Sequence, residues 1–360
     1  MTASISSAIR RKERPIPMST SAIRCAVLGV GRMGRHHARV MSRQEDVEFL
    51  GVLDRDESRV GEAIEQHGGR GFQDLDELLA AEPQVAVVAT PTVTHPDLVV
   101  RLLEHGVACL VEKPLAADAV QARRIADAAQ SSGIALQVGH VVRYDPVMRA
   151  IRGIAGLEPL FIQIERVSPM TFRSVDVGVV LDMMIHDLDL LLMLLGSEPE
   201  EIHANAVCVL GEAEDVCNAR LTFPAGRDGV RCVANVTASR LAMKTERKIR
   251  IISDEHYVSA DFGSRSGTVV TKTANRAQLE TVRAQLRDGE DLSSLNYLEL
   301  VNVSPLAIGA DDPLTLQARD FLDAVRKGRR PEVDAEAGLA AVRTAERIVQ
   351  TAREAGSRMV

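Results

Sequence analysis

The chain has 360 residues, 46% hydrophobic and 26% charged, the make-up of an ordinary globular protein of about two domains. Its 43 Lys and Arg against 50 Asp and Glu leave a formal charge of −7, which does not favour a nucleic-acid backbone as partner. Seven Phe, three Tyr and no Trp also leave little from which to build stacking platforms for single strands.

Residues 1–21 are rich in Ser, Thr and Arg and are expected to be disordered, with Met18 an alternative start. Arg10-Arg11 invites a twin-arginine reading, but Lys12, Glu13, Arg14 and Pro15 follow where an apolar stretch would have to stand. Ile23–Leu28 is a short apolar run, read as a buried strand, and 31–43 reads as a helix. Val47–Leu53 is a second strand, followed by helices at Glu57–His67 and 74–81. The apolar strand 85–89 ends at Thr90-Pro91, and the helix 97–105 is stopped by Gly106. A strand at 109–111, a helix at 117–131 and a strand at 134–138 close the series. Continuous apolar strands separated by helices predict a parallel sheet covered on both faces.

From about residue 141 the pattern changes. A long apolar helix over 179–195 precedes alternating segments at 202–210, 218–223, 229–239, 249–252 and 257–262. They predict an antiparallel sheet with one solvated face. Residues 263–312 carry no clear pattern, and 314–327 and 335–355 are helical by period. The longest apolar stretch, 177–195, contains Asp182, His186, Asp187 and Asp189, so no membrane span is expected. Five cysteines, at 25, 109, 208, 217 and 232, include no Cys-x-x-Cys. An odd count without pairs argues against a disulfide framework or structural zinc, and for a reducing, cytoplasmic setting.

Gly29-Val-Gly31-Arg32-Met33-Gly34 follows a strand and opens a helix. The three glycines suit a tight turn, a close approach to a pyrophosphate, and close helix–strand packing. The helix N-terminus then offers its unpaired N–H groups to phosphate. Asp54 stands at the end of the second strand, where a carboxylate accepts from the adenosine ribose and repels a 2′-phosphate. NAD is therefore expected over NADP, although Arg55 and Arg59 could accommodate the extra phosphate.

Lys113, within Glu112-Lys113-Pro114, lies where the strand 109–111 ends, on the ligand side of such a sheet. A lysine there can hydrogen-bond a substrate hydroxyl. In the 179–195 helix, Asp182, His186 and Asp189 fall within about 60° of one another at 100° per residue. A buried stripe of ionisable groups is costly unless they pair or do chemistry. His186 is thus a candidate acid/base with Asp182 as its partner or a substrate ligand; a structural pair and a metal site are the alternatives.

Taken together, Gly29–Gly34, Thr90-Pro91 with His95, Glu112-Lys113-Pro114, Gly139-His140 with Arg143-Tyr144, and Asp182-x-x-x-His186-Asp187 resemble the Gfo/Idh/MocA oxidoreductases over about 22–355. The resemblance implies an α/β chain: a Rossmann domain at 22–140 with a doubly wound parallel sheet, then an α+β domain at 141–360 with an open, mostly antiparallel sheet. It implies NAD(P)-dependent oxidation of a sugar or cyclitol in homodimers or homotetramers built through that second sheet. Lys113, Asp182 and His186 take its catalytic positions. Gly29, Gly31, Arg32, Met33, Gly34, Asp54, Arg55, Thr90, Pro91, His95, Glu112 and Lys113 take its cofactor positions, and no metal is implied.

The stretches 139–146, 166–174 and 177–189 look like the branch that oxidises the 3-hydroxyl of UDP-N-acetylglucosamine or a related UDP-sugar. Arg143, Arg166 and Arg173 are then expected to hold the diphosphate, with Tyr144 and Phe172 available to stack the base. Substrate contacts are completed by Lys113, Asp182 and His186. A free-sugar or inositol dehydrogenase and a non-catalytic NAD-binding regulator are the other readings.

Overall fold

The computed structural model describes residues 22–171, 177–210, 212–226, 229–291 and 295–357. The expected disorder of 1–21 therefore falls outside the described residues. Six strands form the first sheet: β1 (Ile23–Leu28), β2 (Val47–Leu53), β3 (Arg70–Phe72), β4 (Val85–Val88), β5 (Ala108–Val111) and β6 (Leu136–Val138). All pair in parallel, in the order β3-β2-β1-β4-β5-β6. Alternation splits each strand between two cores: Cys25, Val27, Val85 and Val87 face one, and Ala26, Leu28, Ala86 and Val88 the other. Helices α1 (Gly34–Met41), α2 (Glu57–His67), α3 (Leu75–Ala80), α4 (His95–Glu104) and α5 (Ala119–Ser132) connect the strands. Asp56, Asp74 and Asp118 cap α2, α3 and α5 by accepting from backbone N–H groups, each contributing about 1 kcal/mol. Strand order reverses between β1 and β4, so their carboxyl ends open the crevice in which ligands bind.

The short helix α6 (Pro146–Arg152) leads to β7 (Phe161–Val167), and α7 (Ile185–Leu195) follows a π-helical turn at Val180–Met184. Next come β8 (Glu201–Val207), β9 (Val216–Ala225), β10 (Arg231–Ser239), β11 (Glu246–Ile252), β12 (His256–Asp261) and β13 (Ser266–Lys272). After α8 (Arg276–Arg287), β14 (Val301–Pro305) completes an eight-stranded sheet of order β14-β13-β12-β11-β7-β10-β9-β8. Only β7 and β10 pair in parallel. On β10, Cys232, Ala234, Val236 and Ala238 are buried while the residues between them are not, as one covered face requires. The stretch 263–312, which carried no readable pattern, supplies β13, α8 and β14. None of the five cysteines forms a disulfide, and all are buried.

Two C-terminal helices tie the halves together. In α9 (Pro313–Lys327), Ala318, Phe321 and Leu322 join Val27 and Val87 in a core of the first sheet. Full burial of a side chain such as Phe321 contributes about 1.5–3 kcal/mol. In α10 (Ala335–Glu354), Leu339 and Val342 enter the first sheet's other core, and Ala345 and Ile348 enter the core under the second sheet. The cores under the two sheets thus meet along α10.

Candidate active site

The crevice of the first sheet is shaped for a dinucleotide. Gly29 has φ +82°, and a Cβ there would lie 2.7 Å from the Ala89 carbonyl oxygen. A Cβ on Gly34 would lie 1.7 Å from the Gly29 oxygen, so helix and loop could not close with any larger residue. Over Gly31 the space is open: a Cβ would meet only Arg59 Nη1, at 3.8 Å. Asp54 is fixed at the edge of this cradle, Oδ2 accepting from the Val30 N–H at 2.7 Å and Oδ1 from the Asp56 N–H at 3.0 Å. Both oxygens keep a lone pair for ribose hydroxyls. Arg32 and Arg55 are exposed beside the loop, Met33 and Thr90 are half-buried, and Pro91 is exposed at the end of β4. These residues fit NAD.

Two expected cofactor contacts are placed differently. His95 is buried, with Nδ1 3.2 Å from the Leu115 oxygen and Nε2 3.0 Å from the Thr90 oxygen. Its ring is wedged between the β4 loop and the segment after Lys113, one nitrogen donating to a backbone carbonyl and the other facing one, so it is turned away from the crevice; burial pushes its pKa down. Glu112 also turns inward, to His37 Nε2 at 2.7 Å and to the Lys113 N–H at 3.1 Å. His37, on α1, holds its carboxylate below the usual range even though burial acts the other way. Sequence reading passed over His37; its helical spacing with Gly34, Ala38 and Met41, all buried, was the available signal.

Lys113 reaches across the cleft. Its Nζ donates to the Asp182 backbone oxygen at 2.6 Å and to Asp182 Oδ1 at 3.1 Å. The expected Asp182–His186 partnership is not formed. Asp182 sits in the π-helical turn, whose wider spacing takes it off the one-turn register that a regular helix would share with His186. His186 keeps a buried Nδ1 without a partner and meets the edge of the His140 ring at 6.4 Å between centroids. Burial first, then the nearby Lys113 charge, holds its pKa well below 6.5, so the imidazole is neutral at pH 7. Among the described residues, no group of three His, Cys, Asp or Glu side chains is arranged to hold a metal.

Two of the three expected diphosphate arginines, Arg143 and Arg166, are paired internally. Arg143 grips Asp189 through Nε at 2.8 Å and Nη2 at 2.6 Å. Arg166 grips Asp187 in the same bidentate way, at 2.8 and 2.6 Å. Tyr144 is buried and donates to Asp320 at 2.7 Å, so it offers no face to a base. Asp187 and Asp189, buried on α7, need these cations, and burial makes the pairing binding on both sides. Arg173 and Phe172 lie outside the described residues. Arg247, passed over in the sequence, ends the row of β11 that buries Ile249 and Ile251; the period-2 pattern places it inward, toward the cleft.

A glycine loop at the switch point of a parallel sheet, with a carboxylate closing the ribose edge, is the architecture of an NAD-dependent dehydrogenase. Residues 23–140 match the oxidoreductase family described as Gfo/Idh/MocA, NAD-binding Rossmann fold, and 166–259 match a Gfo/Idh/MocA C-terminal domain. The chain is 35% identical over 240 residues to the UDP-N-acetylglucosamine 3-dehydrogenase of Acidithiobacillus ferrooxidans, 67% of this chain and 74% of that one. A solved structure of that name from the same species gives a TM-score of 0.80 at 29% identity, covering 92% of this chain and 98% of the other. An inositol 2-dehydrogenase of Rhizobium meliloti is 32% identical over 200 residues, 53% of this chain and 60% of that one. The chain belongs to the Gfo/Idh/MocA oxidoreductases, and NAD is its cofactor.

Proposed function

We propose that the protein oxidises a secondary alcohol of a sugar, and that the group oxidised is the 3-hydroxyl of UDP-N-acetylglucosamine or a related UDP-sugar. The observation that carries the chemistry is Lys113 Nζ, held 3.1 Å from Asp182 Oδ1 beside a neutral His186 at the mouth of the cofactor crevice. Bound NAD supplies the hydride acceptor. Gly29–Gly34 and the N-terminus of α1 receive its diphosphate, and Asp54 its adenosine ribose. Lys113, steered by Asp182, donates to the alcohol oxygen and lowers the cost of negative charge there as the carbinol hydride departs. His186 takes the hydroxyl proton, so two electrons leave with the hydride and the sugar leaves as a ketone.

The choice of a UDP-sugar is supported by the likeness to the Acidithiobacillus enzyme. A second reading, a neutral polyol, is favoured by the internal pairing of Arg143 and Arg166 and by the inositol dehydrogenase among the relatives. A panel of UDP-sugars, free sugars and inositols with NAD, followed at 340 nm, separates them. Turnover of UDP-N-acetylglucosamine with little on polyols is expected; the reverse preference overturns the substrate assignment.

The proposed assembly is a homodimer or homotetramer through the second sheet. By register, Tyr257, Ile252, Phe161 and Val233 stand side by side on four adjoining strands. They lie on the face away from the helices and form an incompletely covered apolar row.

A further inference from the structure

Two arginines end neighbouring strands of the second sheet, on the face that looks into the cleft. Arg166 of β7 pairs in register with Arg247 of β11. Both share the parity of the buried residues of their strands, Ile162 and Ile164 on one, Ile249 and Ile251 on the other. Their partners differ. Arg166 has Nε and Nη2 committed to Asp187. Arg247 is exposed, and among the described residues no carboxylate is within ion-pair distance of it.

The surroundings of Arg247 locate it. Asp187 of α7, Asp145 at the start of α6 and Arg32 of the glycine loop are all near enough for their charges to act on it. Its own charge acts on His186. Arg247 thus lies opposite Arg166, which holds Asp187 of α7, on the wall contributed by the second sheet, and its backbone oxygen accepts from the Phe262 N–H at the turn that carries Arg265. Partial desolvation first, then the like charge of Arg166, disfavours the charged form of Arg247. An anion arriving there relieves that repulsion. Arg265, exposed at the turn after β12, acts on Asp145 from the same side.

We propose that Arg247, with Arg265 beside it, receives the diphosphate of a nucleotide-sugar substrate, the task that Arg143 and Arg166 cannot perform. This rests on the nucleotide-sugar reading above. Arg's planar fork suits bidentate phosphate recognition. The cofactor also carries a diphosphate, but the glycine loop and the N-terminus of α1 already receive it from the opposite wall.

The test uses the full chain with Arg247→Ala and Arg247→Lys. Binding of UDP is measured by calorimetry, and UDP-N-acetylglucosamine oxidation at 340 nm with NAD saturating and then varied. In Arg247→Ala, the Kd for UDP and the KM for the UDP-sugar should both rise about 10–150-fold, with a smaller change in kcat. KM for NAD should stay put, and Arg247→Lys should recover part of the loss. An unchanged Kd for UDP overturns the inference and leaves the substrate reading standing. A rise in KM for NAD in place of the UDP-sugar assigns Arg247 to the cofactor and overturns it as well. If the unsubstituted protein binds no UDP and oxidises only polyols, the substrate reading itself fails and takes the inference with it.

Discussion

At the scale of single residues, the site separates groups that meet substrate from groups that hold the site in place. In the proposed reaction Lys113 and His186 act on one proton, so Lys113→Ala or His186→Ala should each lower turnover by about 10²–10⁴-fold with NAD affinity nearly unchanged. The double variant should lose much less than the product of the two effects, because groups acting on one proton are not additive; full multiplicativity in kcat/KM would assign them separate tasks. Asp54 accepts from the Val30 N–H at 2.7 Å, so it both shapes the glycine loop and closes the ribose edge. Asp54→Ala should weaken NAD binding and narrow the preference over NADP, as read by titrating both cofactors; tighter NADP than NAD binding in the unsubstituted protein would contradict the role. Lys113 was legible in the sequence because a charged residue at the end of an apolar strand is itself a signal. The fates of Arg143, Arg166 and Tyr144 were not, since their partners lie 46, 21 and 176 positions away along the chain.

At the scale of elements, the segment 179–195 shows where a regular period misleads. Its apolar wrap was readable as a buried helix, and it is one from Ile185 onward. The π-helical turn before it left no mark in composition, yet it directs Asp182 to Lys113 and not to His186. Strand β7 was missed because Gln163, Glu165 and Arg166 interrupt its apolar residues, and the parallel neighbour β10 that completes its environment comes some seventy positions later in register, at Val233–Ser239. Helix α7 also carries two buried carboxylates whose cations come from other elements, Arg143 and Arg166. Arg166→Ala or Arg143→Ala should therefore act first on stability, by about 3–5 kcal/mol, because a buried charge is left uncompensated. Replacing Arg166 and Asp187 together with apolar residues of similar volume should restore much of that loss. Denaturant midpoints measure both; a stable Arg166→Ala protein with only a raised KM would return Arg166 to the substrate.

At the scale of the whole molecule, the parallel sheet was legible because five of its strands lie in short, largely apolar runs; the edge strand β3, Arg70-Gly71-Phe72, has no such run and gave no signal. The return of α9 to the first sheet was not legible, since amphipathic period names a buried face and not the surface it covers. The outer face of the second sheet yields a test of assembly: light scattering should give a dimer or tetramer, and charges introduced at Phe161 and Val233 should shift it toward monomer. A monomer in the unsubstituted protein would remove the proposed interface. The cleft between the sheets also fixes how stability varies with pH. His95, His140 and His186 are all held below 6.5, burial being the first cause for each. Below about pH 6.5 the unfolded chain binds protons at these rings that the folded chain refuses. The unfolded state then carries more protons, so stability rises with pH through this window and falls as pH drops from 7 toward 5.5. The slope is at most about 1.4 kcal/mol per pH unit for each ring. Both nitrogens of His140 are buried without partners, so His140→Phe removes a proton acceptor without breaking a hydrogen bond. Melting temperatures between pH 7.5 and 5.5 should fall less steeply in that variant than in the unsubstituted protein. Equal slopes would mean that His140 takes up its proton in the folded state, and that the surroundings of its ring are wetter than their packing implies.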